Sequence, residues 1–307
     1  MGNANKQSVV VRVPASTSNL GAGFDCFGLA LQLYLTVRAR VEKDSAPVCR
    51  VRGRGDWPRD EHNLIYRAMR HAAERESWRL PSVSLTVTND IPLSGGLGSS
   101  AAAIVAGVKL AGAVCGRELP DEAALRYATE IEGHPDNAAA SLRGGFVVNA
   151  TDEGGAVISL KRDWPAELRI VAVTPRAELP TKRARAVLPE NVSRADAVFN
   201  LQRAALLVAA LAARDYAAAG EALRDRLHQN YRQTLVPGLA DALAVRGLAG
   251  LHGVALSGAG PTVVALATGN FAAVGERLAA CFARHGLAAT VRRLAVDEKG
   301  AQFLCIR

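Results

Sequence analysis

The stretch "PLSGGLGSSAAA", Pro92 to Ala103, decides how this 307-residue chain is read. Three glycines and three serines make a loop too polar for a core, yet the residues that follow, "AAIVAGVKLAGAVC", are apolar enough to be buried. A glycine-rich turn that feeds a helix N-terminus is an anion site. The first backbone N–H groups have no intrahelical partner, the helix dipole favours negative charge there, and a missing Cβ lets phosphate oxygens approach. Gly95, Gly96 and Gly98 fall within four positions, more than a helix cap needs, so the loop is expected to bind phosphate. Ser99 and Ser100 add hydroxyls that can cap the helix, bind phosphate or reach a metal. The pattern GxxxxGK[ST] is absent, which excludes a Walker loop. Gly96 to Ala101 satisfies the loose dinucleotide pattern GxGxxA, but Asn89–Ser94 separate it from its strand, and that pattern needs a tight first βα turn.

Outward from the loop, the first third reads as strands. "SVVVRVP" and "LYLTVRARVE" are β-branched and partly alternating, separated by "ASTSNLGAGFDCFGLA", a loop that turns into a short apolar segment. "SVSLTVTND" alternates up to the loop. A helix is expected over about Ser99 to Cys115, a second over Pro120 to Gly133, and a strand at "GGFVVNA". From "LRIVAVTP" a second unit begins. It holds a strand, an arginine-bearing loop, a long helix Ala195–Ala213, a further helix over "YAAAGEALRDRLHQNYR", the segment "GVALSGAGPTVVALA", a helix near Phe271–His285, and two closing strands. Strands and helices mixed without strict alternation predict an α+β protein in two parts, residues 1–155 and 156–307.

Composition narrows the function classes. The net charge is +8, from 31 arginines and six lysines scattered along the chain, and only 5% of residues are aromatic. A nucleic-acid binder concentrates its basic residues on one face, often beside aromatics, so no nucleic-acid partner is expected. Five cysteines, odd in number and without CxxC spacing, predict free thiols in a reducing cytoplasm. The N-terminus has no apolar core of a signal peptide, and Lys6 breaks the myristoylation pattern. No apolar run reaches the roughly 20 residues of a bilayer span, so no membrane association is expected.

Five segments together resemble one family. "PLSGGLGSSAA" is similar to the nucleotide loop of the GHMP small-molecule kinases, and "LSGAGPTVVAL" at 256–266 to their second glycine loop. "VRVPASTSNLGAGFDCFGLAL" at 11–31, "EGHPDNAAASLRGGF" at 132–146 and "TKRARAVLPENVSRADAVFN" at 181–200 resemble the homoserine kinase branch. The resemblance spans nearly the whole chain. It implies a two-part fold, with an N-terminal domain like ribosomal protein S5 and a C-terminal ferredoxin-like domain. The implied activity is transfer of phosphate from ATP, with Mg²⁺, to the hydroxyl of L-homoserine, a step of threonine biosynthesis. A homodimer is an open expectation. Another GHMP kinase, or a ligand sensor on the same fold, is the alternative.

The resemblance also implies site residues. Ile91, Pro92, Leu93, Ser94, Gly95, Gly96, Leu97, Gly98, Ser99, Ser100 and Ala101 would wrap the ATP phosphates, with Asn63 near the adenine. Ser100 would help hold Mg²⁺ with a helix-borne glutamate. Glu130 and Glu132 lie two apart and point to different helix faces, so only one can reach the metal, and the family's spacing favours Glu130. Asp136 matches the catalytic base of mevalonate-kinase-like relatives, but the lysine that supports it there is missing from "PASTSN". Asp136 is therefore expected to orient the substrate hydroxyl, with base function open. Arg185 and Arg232 would fork the substrate carboxylate. Asn19 and Asp25 would hold the ammonium end, and His134 is a further substrate contact. Ala22, Arg143 and Asn230 depart from the family's usual residues without removing any of these.

Overall fold

A computed structural model describes residues 8–42 and 49–305. The N-terminal stretch read above for signal peptide and myristoylation lies outside the described residues. β1 (Ser8–Ser18) and β2 (Phe27–Val41) pair antiparallel along almost their whole lengths, leaving a short connection that carries Asn19 and Asp25. β3 (Cys49–Gly53) leads through α1 (Leu64–Arg75) to β4 (Val83–Asn89). β4 lies parallel to β3 and antiparallel to β2. The glycine loop then enters α2 (Ser99–Cys115), followed by α3 (Asp121–Glu132), α4 (Asp136–Arg143), β5 (Phe146–Thr151) and β6 (Val157–Arg162). α2 is apolar on nearly every side because every side is packed, against β1 and the three neighbouring helices.

The second part contains β7 (Arg169–Pro175), α5 (Thr181–Ala186), α6 (Arg194–Ala213), α7 (Tyr216–Ala222), α8 (Gln229–Arg232) and α9 (Leu239–Leu243). It continues with β8 (Leu251–Leu256), β9 (Val263–Ala267), α10 (Phe271–Ala283), β10 (Ala289–Leu294) and β11 (Gln302–Leu304). Four of its strands form a sheet in the order β10-β7-β9-β8. The run "VVALA" of β9 is apolar without alternation because both of its faces are buried. Val264 and Leu266 join Ile170 and Ala172 on the large core shared with the first part. Val263 and Ala265 face Val274, Leu278 and Phe282 of α10.

The α+β expectation holds, and three local expectations need correction. The boundary at 155/156 does not follow the sheets: β6 pairs with β5, and β11 returns to pair with β1, so both belong to the first, seven-stranded sheet. The expected helix over residues 216–232 is broken after α7. The buried Asp225 carboxylate accepts the backbone N–H groups of Leu227, His228 and Gln229 and starts α8 afresh. Within "HPDN", Asp136 opens α4. Finally, α6 is 20 residues long and apolar enough to meet the length and composition of a bilayer span, which the sequence reading did not anticipate. Its Leu207, Ala210 and Leu211 lie in the large core, and its Phe199 ring has the guanidiniums of Arg203 and Arg226 at 3.3 and 3.9 Å.

Candidate active site

The two glycine loops meet at the junction of the two parts. Gly96 and Gly98 both have positive φ, at 78° and 69°. A Cβ on Gly96 would stand 2.6 Å from the Ser257 carbonyl oxygen and 2.7 Å from that of Gly260; one on Gly98 would stand 2.2 Å from Ser16 Oγ. These glycines therefore let the loop touch the second glycine loop and β1, besides permitting its shape. The loop is pinned as well as close: Ser16 N–H donates to the Leu97 carbonyl, and Ser257 Oγ to that of Gly96. Leu97 and Ile91 are buried beneath it, Ala101 lies in the first turn of α2, and Leu93 is exposed. No side chain caps α2, whose N-cap is Gly98 itself. Its first amides remain available to an anion.

Around this loop lie two cavities that share Ser94, Ser99 and Ser100. The first is polar, and its walls include Asn19, Asp25, His134, Asp136, Arg185 and Arg232, together with Pro92 and the loop glycines. The second is apolar, lined by Leu35, Leu64, Ile65, Val87 and Trp57. Asn63 lies in its wall, where it caps α1 by accepting from Ile65 N–H and donates to the Pro58 carbonyl. The Trp57 Nε1–H is buried without a partner, the indole being packed on Gly53 and Gly55.

In the polar cavity the charges are arranged in pairs. Asp136 is 1% exposed, and its Oδ1 accepts from the Asn137 N–H at 2.7 Å and from His134 Nδ1 at 2.5 Å. Burial pushes the Asp136 carboxyl upward, but His134, the Asn137 amide and the Ser18 hydroxyl outweigh it and hold the group below the usual carboxylate range. Burial alone would likewise depress the His134 imidazole; the Asp136 carboxylate outweighs it and raises its proton affinity. Asp25 and Arg185 form a forked ion pair, with hydrogen bonds of 2.8 and 3.1 Å. Asn19 lines the cavity but spends its amide on the scaffold, accepting from the Asp25 N–H and donating to the Gly258 carbonyl. Asp25, His134 and Asp136 bring possible metal-ligand atoms within 4.8 Å of one another. Their pairing makes them an ionic network rather than a vacant cage.

Arg232 differs from Arg185. It is 2% exposed and has no carboxylate partner among the described residues. Its Nε donates to the Ala184 carbonyl, and one Nη1 contacts the Gly258 carbonyl and His228 Nδ1. Burial pulls its pKa down to about 10, helped by the Arg185 charge, so it remains a cation at neutral pH.

Glu130, the carboxylate expected to share Mg²⁺ with Ser100, lies away from that serine. Glu130 faces α1, where it accepts from His71 Nε2 at 2.8 Å and from Arg75 at 3.0 Å. Glu132, on the other face of α3, accepts from the Ser100 hydroxyl at 2.9 Å and lines the polar cavity. Burial raises its carboxyl pKa, against the lowering effect of Ser100. The sequence reading also missed Ser16, Thr17 and Ser18. They are buried polar residues in a strand, and through Asn137 and Ser257 they tie β1 to α4 and the second glycine loop. Polar side chains in an otherwise apolar strand were the available signal.

Comparison with known proteins gives a consistent picture. Family models described as the GHMP kinases N-terminal domain and the GHMP kinases C-terminal domain match residues 63–145 and 207–284. A homoserine kinase of Desulfitobacterium hafniense is 42% identical over 301 residues, covering 96% of this chain and 100% of that protein. One from Moorella thermoacetica is 42% identical, covering 95% of this chain and 98% of its own length. The crystal structure of a homoserine kinase from Cytophaga hutchinsonii superposes with a TM-score of 0.86 at 28% identity, covering 99% of each chain.

Proposed function

The chain belongs to the homoserine kinase family of the GHMP kinases, and from that premise we propose that it transfers the γ-phosphoryl group of ATP to the side-chain hydroxyl of L-homoserine. In this reading the ATP phosphates lie on the Gly95–Gly98 backbone and the free amides of α2. The apolar cavity beyond the three shared serines takes the base. Ser100 and Glu132 would hold Mg²⁺; both offer the hard oxygen ligands it requires, and they already meet at 2.9 Å. When bound, the ion would neutralise charge on the phosphate oxygens.

The substrate class rests on one observation, the buried Arg232. A guanidinium without a carboxylate partner, opening on a cavity that also holds Asp25, suits a zwitterionic amino acid. The substrate carboxylate would fork onto Arg232, with Arg185 beside it, and the ammonium would sit at Asp25, which Asn19 orients. The substrate hydroxyl would face Asp136. Since His134 holds that carboxylate ionised and weakly basic, its role is to accept the hydroxyl hydrogen bond and aim the oxygen at phosphorus. A loose phosphoryl-transfer transition state asks for positioning more than for a strong base. The reading includes a reducing cytoplasmic location, supported by five free thiols.

The test is ADP release with homoserine, mevalonate, shikimate and galactose as acceptors, with mass analysis of the product. The expected result is O-phosphohomoserine, with kcat/KM on the order of a hundredfold above any other acceptor. Equal or faster turnover of a sugar or mevalonate, or no transfer to homoserine, overturns the reading.

A further inference from the structure

His228 is wholly buried behind the polar cavity, and nothing in the proposed reaction uses it. Its hydrogen-bond partners nevertheless fix its chemical state. Nε2 lies 2.8 Å from the Gly21 carbonyl oxygen, which can only accept, so Nε2 carries the proton. Nδ1 lies 3.2 Å from Nη1 of Arg232, which can only donate, so Nδ1 must be bare. The imidazole is therefore the neutral Nε2–H tautomer. The surroundings agree. Burial and the Arg232 charge lower its proton affinity, against the opposing pull of Asp225 and Asp25, while the Asp225 carboxylate lies 3.7 Å from Nε2.

The ring is also fixed in place. Phe24 stacks on it with centroids 5.3 Å apart, and Asp225 accepts the backbone N–H groups of His228 and Gln229, locking the start of α8. The same Phe24 ring has the Arg232 guanidinium 5.4 Å from its centroid. His228 and Arg232 are four apart on the segment that Asp225 nucleates, so one face presents both side chains together.

We propose that His228 is a positioning residue for substrate recognition: an uncharged acceptor that aims the Arg232 guanidinium at the carboxylate of the amino-acid substrate without neutralising it. The physical reason lies in the contrast with Arg185. A carboxylate acceptor, such as Asp25 offers Arg185, satisfies a guanidinium but also competes with an incoming carboxylate. A neutral imidazole nitrogen satisfies one Nη1 donor and leaves the full positive charge. The two backbone carbonyls on Nε and Nη1 act in the same way, and no protein partner takes Nη2 among the described residues.

The inference rests on the reading that Arg232 receives the substrate carboxylate, and the test separates the two. His228→Gln can still donate to Gly21 from its amide nitrogen but offers no acceptor at the Nδ1 position. His228→Asn places an amide oxygen near the Nδ1 position and gives up the Gly21 bond. Steady-state kinetics should show a homoserine KM raised on the order of tenfold in His228→Gln, with ATP KM unchanged. The Asn variant should recover most of that loss. Combined with Arg232→Leu, His228→Gln should add nothing further. Equal effects in the Gln and Asn variants, or a parallel rise in ATP KM, overturn the positioning role. If Arg232→Leu weakens homoserine binding while His228→Gln leaves it intact, only this inference falls. If Arg232→Leu itself leaves homoserine binding intact, the carboxylate reading falls and this inference with it. A measurement on the unaltered protein covers the case where the variants do not fold. Long-range ¹H–¹⁵N NMR of the imidazole should find Nε2 protonated and Nδ1 bare at neutral pH. An imidazolium or an Nδ1–H tautomer overturns the proposal.

Discussion

The glycine loop and α8 serve the same cavity by opposite means. The loop offers backbone N–H groups, and its two left-handed glycines are hemmed in: Gly96 by the Ser257 and Gly260 carbonyls, Gly98 by the Ser16 hydroxyl and carbonyl of β1. α8 offers one side chain, Arg232, held by backbone carbonyls and a neutral histidine. A site made of backbone should tolerate side-chain exchange and fail when a Cβ is added. A site made of a side chain should behave the other way round.

The largest effect is expected where this contrast is sharpest. Gly96→Ala introduces a Cβ 2.6 Å from a carbonyl oxygen at φ +78°, where neither neighbour is a flexible side chain. Left-handed strain and overpacking together should cost about 2–5 kcal/mol, read as a fall in Tm, with loss of ATP turnover. A Gly96→Ala protein with normal Tm and ATP KM would show that the loop's backbone does not set the site.

Arg232→Leu should raise homoserine KM by roughly a hundredfold, the loss of a charge-assisted fork at about 2–3 kcal/mol, while ATP KM stays close to normal. If ATP affinity fell and homoserine affinity held, the arginine would belong to the phosphate side of the comparison.

Next comes Asp136→Asn. The amide oxygen can still accept the hydroxyl hydrogen bond, so a residue that orients should lose at or below about a hundredfold in kcat, the lower end of general-base removal. A collapse well beyond that, with both ligands still bound by calorimetry, would make Asp136 an obligatory base.

His134 supplies a pH test of the same pair. Its proton affinity is raised, so its stabilisation is complete below the ordinary histidine value of 6.5 and is lost as pH rises through the raised folded value. The Asp136 contribution is complete above 3.8 and is lost as pH falls through its lowered folded value. Both contributions coexist between those limits. His134→Gln should therefore destabilise the protein by about 1 kcal/mol more near pH 5.5 than near pH 9, read by urea unfolding at each pH. An equal cost at both would mean that the pair is not ionic.

The smallest effect is expected at Glu130. Glu130→Gln weakens a partly exposed contact to His71 and Arg75 and should change stability by less than about 1 kcal/mol, leaving the Mg²⁺ requirement unchanged. Glu132→Gln, beside Ser100, should raise the Mg²⁺ concentration needed for half-maximal turnover. The reverse pattern would return the metal to Glu130.

Much of the fold was legible because it is locally encoded. The largely apolar α2 and the left-handed Gly133 that ends α3 each follow from patterns within a few residues. The glycine loop was legible for the same reason, since a stretch of exposed backbone advertises itself through the residues that lack side chains. The segments carrying Asn19, Asp25, His134, Asp136, Arg185 and Arg232 were also legible as a set, and the structure brings them to one cavity.

What the chain alone could not settle were relations between segments far apart in sequence. Glu130 and Glu132 are equivalent until α1 and α2 are packed on either side of α3, because a helix face has no meaning without its neighbour. Asp25 and Arg185 each match a substrate contact, yet they meet 160 positions apart as a pair. The break between α7 and α8, and with it the aim of Arg232, depends on a buried carboxylate finding three backbone N–H groups. Sequence determined which groups were available: backbone amides at the loop, arginines, carboxylates and histidines. Tertiary packing decided which charges are already paired and which is left open, because ionic partners are chosen by distance and burial, and both exist only in the folded chain.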